Sequence, residues 1–265
     1  LALLIAVVLR EILAGRNWRN LPIPVALLGL LAANAMMHAG VMELAATGAY
    51  GRRLGIAVVV MLIGLIGGRV VPSFTRNWLA KRGETRLPAR AGAFDHIAMG
   101  LTALGLAAWV ILPDHVFSGW LLLAGGAAMT IRLARWAGHR TLAEPLVWSL
   151  HAGFAWVPIG LLLCGAGVMW PAAVPVTAGL HALTAGAFGL MVLAMMTRAT
   201  LGHSGRALAA DGATTAIYAL AGLAAILRVA AAFVPDTSLL WASAACWVVA
   251  FGLFTLHYGR ILLAR

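Results

Sequence analysis

Long apolar runs alternate with short polar connections from one end of this chain to the other. Most runs are about 20 residues long, the length a helix needs to cross a bilayer. The first, Leu1 to Leu13, is shorter and reads as the end of a span. Pro22 and Pro24 open the next helix, where proline is tolerated, and it runs to about Ala46. A third run covers Leu54 to about Val71 and is followed by a long basic loop over residues 73–92. Further spans cover Phe94 to Leu112, Phe117 to Leu133, Pro145 to Trp170, Val176 to Met196, Gly212 to Val234, and Leu239 to about Tyr258. Pro235 and Asp236 turn the chain between the last two. The pattern predicts an all-α polytopic transmembrane helix bundle, a single domain over residues 1–265, with eight complete spans plus a partial first one. The partial span leads to the expectation that the bundle lacks its N-terminal helices.

Composition agrees, with 63% hydrophobic and 10% charged residues, against about 25% charged in soluble domains. The net charge of +11 does not mark a nucleic-acid binder, because the basic residues sit in loops between apolar runs and form no single polar face. Arg10, Arg16, Arg19, the cluster from Arg76 to Arg90, Arg132, Arg135, Arg140, Arg198, Arg206, Arg260 and Arg265 all fall on one side. The other side carries Arg52 and Arg53 with Asp114 and Asp236. The asymmetry makes the arginine-rich side cytoplasmic and puts the C-terminus inside. Cys164 and Cys246 lie in apolar runs and imply no disulfide framework.

An ionisable group inside an apolar span is costly and marks a candidate site. Depth along each helix, at about 1.5 Å per residue, sorts these groups into two layers. His38, Glu43, His181 and Arg228 belong to the outer half. His151, His257 and the Asp95–His96 pair belong to the inner half, with His203 in a polar turn just beyond. Imidazole suits iron and copper, and haem iron is commonly held by histidine. His38 and His181 are therefore candidate outer ligands, and His151, His203 and His257 candidate inner ones. Arg228 could pair with a haem propionate or with Glu43, and Asp95 could be simply a helix-capping carboxylate. Each histidine alone has an alternative as a hydrogen-bonded core residue.

Several segments together resemble the NnrS family of haem- and copper-containing membrane proteins associated with the response to nitric oxide. They are GGRVVPSFTRNWL at 67–79, FDHIA at 94–98, RLARWAGHRTLAEPLVWSLHAGFAWVPIGL at 132–161 and HALTAGAFGLMVLAMMTRATLGHSGR at 181–206. The resemblance implies about twelve helices in the intact protein, haem and copper as cofactors, a bacterial inner membrane, and a role against nitrosative stress linked to denitrification. By motif position it singles out Arg69, His151, His181, Arg198 and His203. The histidine-rich W-H-x-H-E segment of family members is absent from this chain. Nitric oxide or a related small ligand, the lipid bilayer, and a quinone or other electron-transfer partner are the partners implied. Two other readings stay open: an electron-transfer subunit of cytochrome b type, and a transporter whose buried His and Arg line a route.

Overall fold

A computed structural model describes residues 1–234 and 236–263. Pro235 of the expected turn and Arg265 of the inner charge set lie outside the described residues. Among those residues the chain forms nine helices and no strand, and eight helices are long and apolar enough to cross a membrane. They are α1 (Ala2–Ala14), α2 (Pro22–Val41), α3 (Gly48–Lys81), α4 (Ala93–Ile111), α5 (Val116–Ala134), α6 (Pro145–Met169), α7 (Val176–His203), α8 (Gly212–Ala230) and α9 (Thr237–Leu263). The helical membrane bundle expected from the apolar pattern is present, and every complete span has its helix.

Local chemistry sets the helix starts. Pro145 opens α6 behind Glu144, whose side chain accepts the Leu146 N–H at 3.1 Å, and Asp211 caps α8 by accepting the Thr214 N–H at 2.8 Å. Both satisfy backbone donors that a helix start leaves unpaired. Within the bundle α6 is central, packed on α5, α7 and α3. Leu146, Leu150, Phe154, Val157 and Leu161 are fully buried along it, a three- and four-residue spacing that keeps one stripe inward. Small residues allow the close approaches that substitute for a hydrophobic driving force in lipid. A Cβ on Gly179 would lie 2.6 Å from the Cys164 backbone nitrogen, and one on Gly165 would lie 2.9 Å from the Gly119 carbonyl oxygen.

The helix bounds correct several expectations. The loop assigned to residues 73–92 is helical as far as Lys81, because the segment is amphipathic. Gly68, Val71, Thr75 and Leu79 are buried at helical spacing, while Arg69 and Arg76 leave the core. Arg52 and Arg53 fall in the first turns of α3 instead of a loop. α2 stops at Val41, short of Ala46. The chain there turns through Glu43 in the left-handed region (φ 58°), with Gly40 so close to Gly48 that a Cβ would lie 2.7 Å from its nitrogen. Glu43 is therefore an exposed turn residue, and no ion pair joins it to Arg228 among the described residues. α7 continues past Met196 to His203, which is the last helical residue.

One buried charge anchors the inner half. Arg132, counted above with the cytoplasmic loops, is 5% exposed near the end of α5. Its Nε donates to Asp95 Oδ1 at 3.0 Å and its Nη1 to the Gly64 carbonyl at 3.1 Å. The guanidinium also lies 5.4 Å above the centre of the Trp136 ring. A side chain at Gly68 would collide with it. Asp95 has the expected capping role, accepting the Gly92 N–H at 3.0 Å, and in addition holds Arg132, a pairing the sequence pattern did not predict. Breaking a buried pair from one side strands the other charge. Asp95→Ala should therefore lower unfolding stability in mixed micelles by about 3–5 kcal/mol. Glu84→Ala, which removes the surface partner of Arg140, should cost about 1 kcal/mol or less.

Candidate functional site

In the inner half, His151 faces Thr75 of the α3 extension. The Thr75 hydroxyl donates to the Val71 carbonyl at 2.9 Å. Its single proton is thereby used, so the 2.7 Å contact with His151 Nε2 has the imidazole N–H donating to the Thr75 oxygen. That assignment makes Nδ1 the bare nitrogen. It is buried without a partner among the described residues, and a Cβ on Gly138 would lie only 2.6 Å from it. Trp136 meets the ring edge-on with centroids 6.5 Å apart. His151 thus has one nitrogen engaged and the other against backbone, and it borders none of the cavities described below.

The outer half is built differently. His181 and Thr184 on α7, Arg228 on α8, and Ser243 and Trp247 on α9 border a cavity of about 510 Å³, walled also by Phe188. The α7 side of the wall is a π-helical stretch, Ala182–Leu190, a local widening frequently found at functional sites. Ser243 donates its hydroxyl to the Ala224 carbonyl at 2.8 Å and Thr184 donates to Leu180 at 2.7 Å. Both hydroxyls are spent on backbone. His181 and Arg228, each partly buried, have no hydrogen-bond partner among the described residues. An imidazole and a guanidinium thus converge on one apolar, aromatic-walled space, the usual make-up of a ligand site.

The remaining predicted residues are dispersed. His38 is exposed on α2, which packs on α1 and α3, whereas His181 is on α7 against α6, α8 and α3. Arg69 is exposed and donates to Asn20 Oδ1 at 3.3 Å. His203 is exposed at the C-terminal end of α7, near Arg198, whose guanidinium lies 3.9 Å above the Phe74 ring centre. His257 meets Asp211 at 2.9 Å. His96 contacts the Gly92 carbonyl through Nδ1 at 3.0 Å. The depth order of the two layers follows from the helix bounds, but the imidazoles of a layer do not converge. Among the described residues no three His, Cys, Asp or Glu side chains form a group able to hold a metal ion.

Residues that the pattern did not flag carry much of the geometry. Thr75, Trp247 and Ser243 lack any charge to mark them, and Arg132 is hidden among loop arginines. A buried hydroxyl series also runs along α8: Thr214 meets Tyr258 at 2.7 Å and Tyr218 meets Thr197 at 2.5 Å. An arginine at the end of an apolar run followed by tryptophan, as in RLARW, is the only advance sign of the buried pair.

Fold and site together define a polytopic helical membrane protein with an intramembrane His/Arg cavity. The chain belongs to the NnrS family: the family model described as NnrS protein matches residues 1–265. No curated protein and no solved structure matches it.

Thr75→Val should leave the His151 N–H buried and unpaired, lowering the unfolding midpoint by the equivalent of about 1–3 kcal/mol, while Thr75→Ser should restore it. At the inner surface, partial burial raises the Asp211 carboxyl, but the Thr214 N–H and hydroxyl and His257 outweigh it, holding the group below its ordinary 3.8. A depressed carboxyl pKa gives stability that is complete above the ordinary value and is lost as pH falls through the folded one. Thermal melts in acid should therefore show a limb below pH about 4 that Asp211→Asn flattens; an unchanged limb contradicts this role.

Proposed function

We propose that the chain is a haem-binding membrane protein that counters nitric oxide stress, with the haem in the His181–Arg228 cavity. The observation that carries this reading is the pairing of one unengaged imidazole with one unengaged guanidinium in the same intramembrane space. The donor set fits. His181 would offer a ring nitrogen to the iron, and Arg228 would offer a planar fork suited to a propionate carboxylate. The cavity, about 510 Å³, falls in the range of small-molecule and cofactor sites, roughly 300–1,000 Å³.

A bound haem supplies the iron to which nitric oxide binds. The protein's part is to hold and enclose. His181 is fixed on a helix whose π-helical turn begins at the next residue. Phe188 and Trp247 give the space an apolar, aromatic wall, and a low-dielectric surround strengthens the electrostatic grip of Arg228. The walls contain no second histidine, methionine or cysteine. That favours ligand binding over pure electron transfer, which prefers two protein axial ligands, and so ranks the nitric oxide reading above a cytochrome b type subunit. Copper fits less well: the described residues form no three-donor group, and no step is assigned to it. In this reading the chain lies in a bacterial inner membrane with its C-terminus cytoplasmic, and any turnover would draw electrons from a quinone or another membrane donor.

The test is the optical spectrum of the chain in detergent after haem reconstitution, with and without nitric oxide. A Soret band that moves on adding nitric oxide is expected. Arg228→Gln should weaken haem retention about tenfold or more, the worth of one charge-assisted hydrogen bond. A preparation that takes up no haem under any condition would sink the reading, leaving a colourless transporter as the alternative.

A further inference from the structure

Arg198 stands apart from the other buried and half-buried arginines at this end of the bundle. Of these, Arg132 and Arg135 bind Asp95, Arg76 donates to the Pro88 carbonyl, and Arg140 binds Glu84 and the Arg86 carbonyl. Arg198 is half-buried with its guanidinium held 3.9 Å above the Phe74 ring. None of its N–H groups meets an acceptor among the described residues. Glu144, the carboxylate whose charge reaches it, caps α6 through one oxygen and forms no ion pair with Arg198 among the described residues.

The unengaged fork borders a cavity of about 320 Å³ shared with Met195, His203, Leu208 and Phe74. Met195 and Gly202 lie three residues before and four after Arg198, so one face of α7 forms the floor. Arg198 is five residues from the cytoplasmic end of its helix, about 7.5 Å at the usual rise. That depth is where the headgroups of the inner leaflet meet the hydrocarbon. The cavity is thus cationic on one side and apolar on the other.

We propose that Arg198, with Phe74 and His203, forms an oxyanion site for a phosphate group at the cytoplasmic membrane face. The Phe74 ring pins the guanidinium plane from below, leaving its edge free for bidentate contact with two phosphate oxygens. His203 adds a ring nitrogen at the cavity rim. Met195, Leu208 and Phe74 suit an apolar body attached to that phosphate, so the phosphate and adjoining chain of an anionic phospholipid match both sides of the cavity, and free phosphate matches only its cationic side. The proposal does not depend on the haem reading.

The experiment uses the full chain, purified in mild detergent and stripped of lipid. Native mass spectrometry follows titration with dioctanoyl phosphatidylglycerol, alone and against inorganic phosphate. The wild-type chain should hold one lipid more tightly than the rest. Arg198→Gln should weaken that binding about tenfold, and Arg198→Lys several-fold, because an ammonium cannot make the fork. Phe74→Leu, which keeps an apolar wall and tests the stacking without removing a charge, should also weaken it several-fold. Displacement of the lipid by equal concentrations of inorganic phosphate would make free phosphate the occupant of the same oxyanion site. Wild-type affinity for both probes in Arg198→Gln and Phe74→Leu would overturn the proposal.

Discussion

The inner half of the bundle depends on keeping one guanidinium out of water. A charge in a low-dielectric interior is tolerated only when it is paired and its remaining donors are used. Arg132 is held by three helices at once: its Nε on Asp95 at the start of α4, its Nη1 on the Gly64 carbonyl in the π-helical turn of α3, and its own helix α5. Other features follow. Gly68 must lack a side chain, Asp95 must sit in the first turn of its helix, and Trp136 lies against the guanidinium. The distinctive GGRVVPSFTRNWL segment then has a physical account. Its second glycine, Gly68, makes room for Arg132, its first, Gly67, admits Phe154 and Met191, and its later residues lay Thr75 against His151.

Two helices are locally widened, and each widening accompanies a polar group in the membrane. The π-helical turn Ile63–Gly67 supplies a carbonyl to Arg132, whereas Ala182–Leu190 lines the outer cavity between His181 and α9. The first is closed and packed, the second is open. That contrast separates the histidines by role: the imidazole with its nitrogens occupied or walled in is structural, and the one facing space beside a free guanidinium is the ligand candidate. Charge within the helical spans is thus closed into the packing around Arg132 and left facing a cavity at Arg228.

Much of the fold is legible in the chain itself. Apolar runs of bilayer length and the one-sided arginines locate every complete span, because no water is available to satisfy an irregular backbone in the hydrocarbon. The ends are harder. An apolar pattern cannot distinguish Val41 from Ala46 as a stop when a tight Gly40–Gly48 contact decides it, and a basic segment reads as a loop even when Val71, Thr75 and Leu79 bury one face. The site is legible only in part. His181 and Arg228 are visible as ionisable groups at matching depth, but nothing in a linear pattern says that α7 and α8 bring them together while α2 carries His38 elsewhere. Arg132 hides for the opposite reason: near a helix end, a buried arginine and a loop arginine have the same neighbours in sequence.

In the proposed reading His181 binds the cofactor and His151 holds the bundle. Haem stoichiometry and the optical spectrum of His181→Gln and His151→Gln, compared side by side at a temperature where both remain folded, test it most directly. His181→Gln should lose the haem band with little change in melting temperature. His151→Gln should melt lower yet keep its haem and the shift with nitric oxide. A haem band that survives in His181→Gln and vanishes in folded His151→Gln would contradict it.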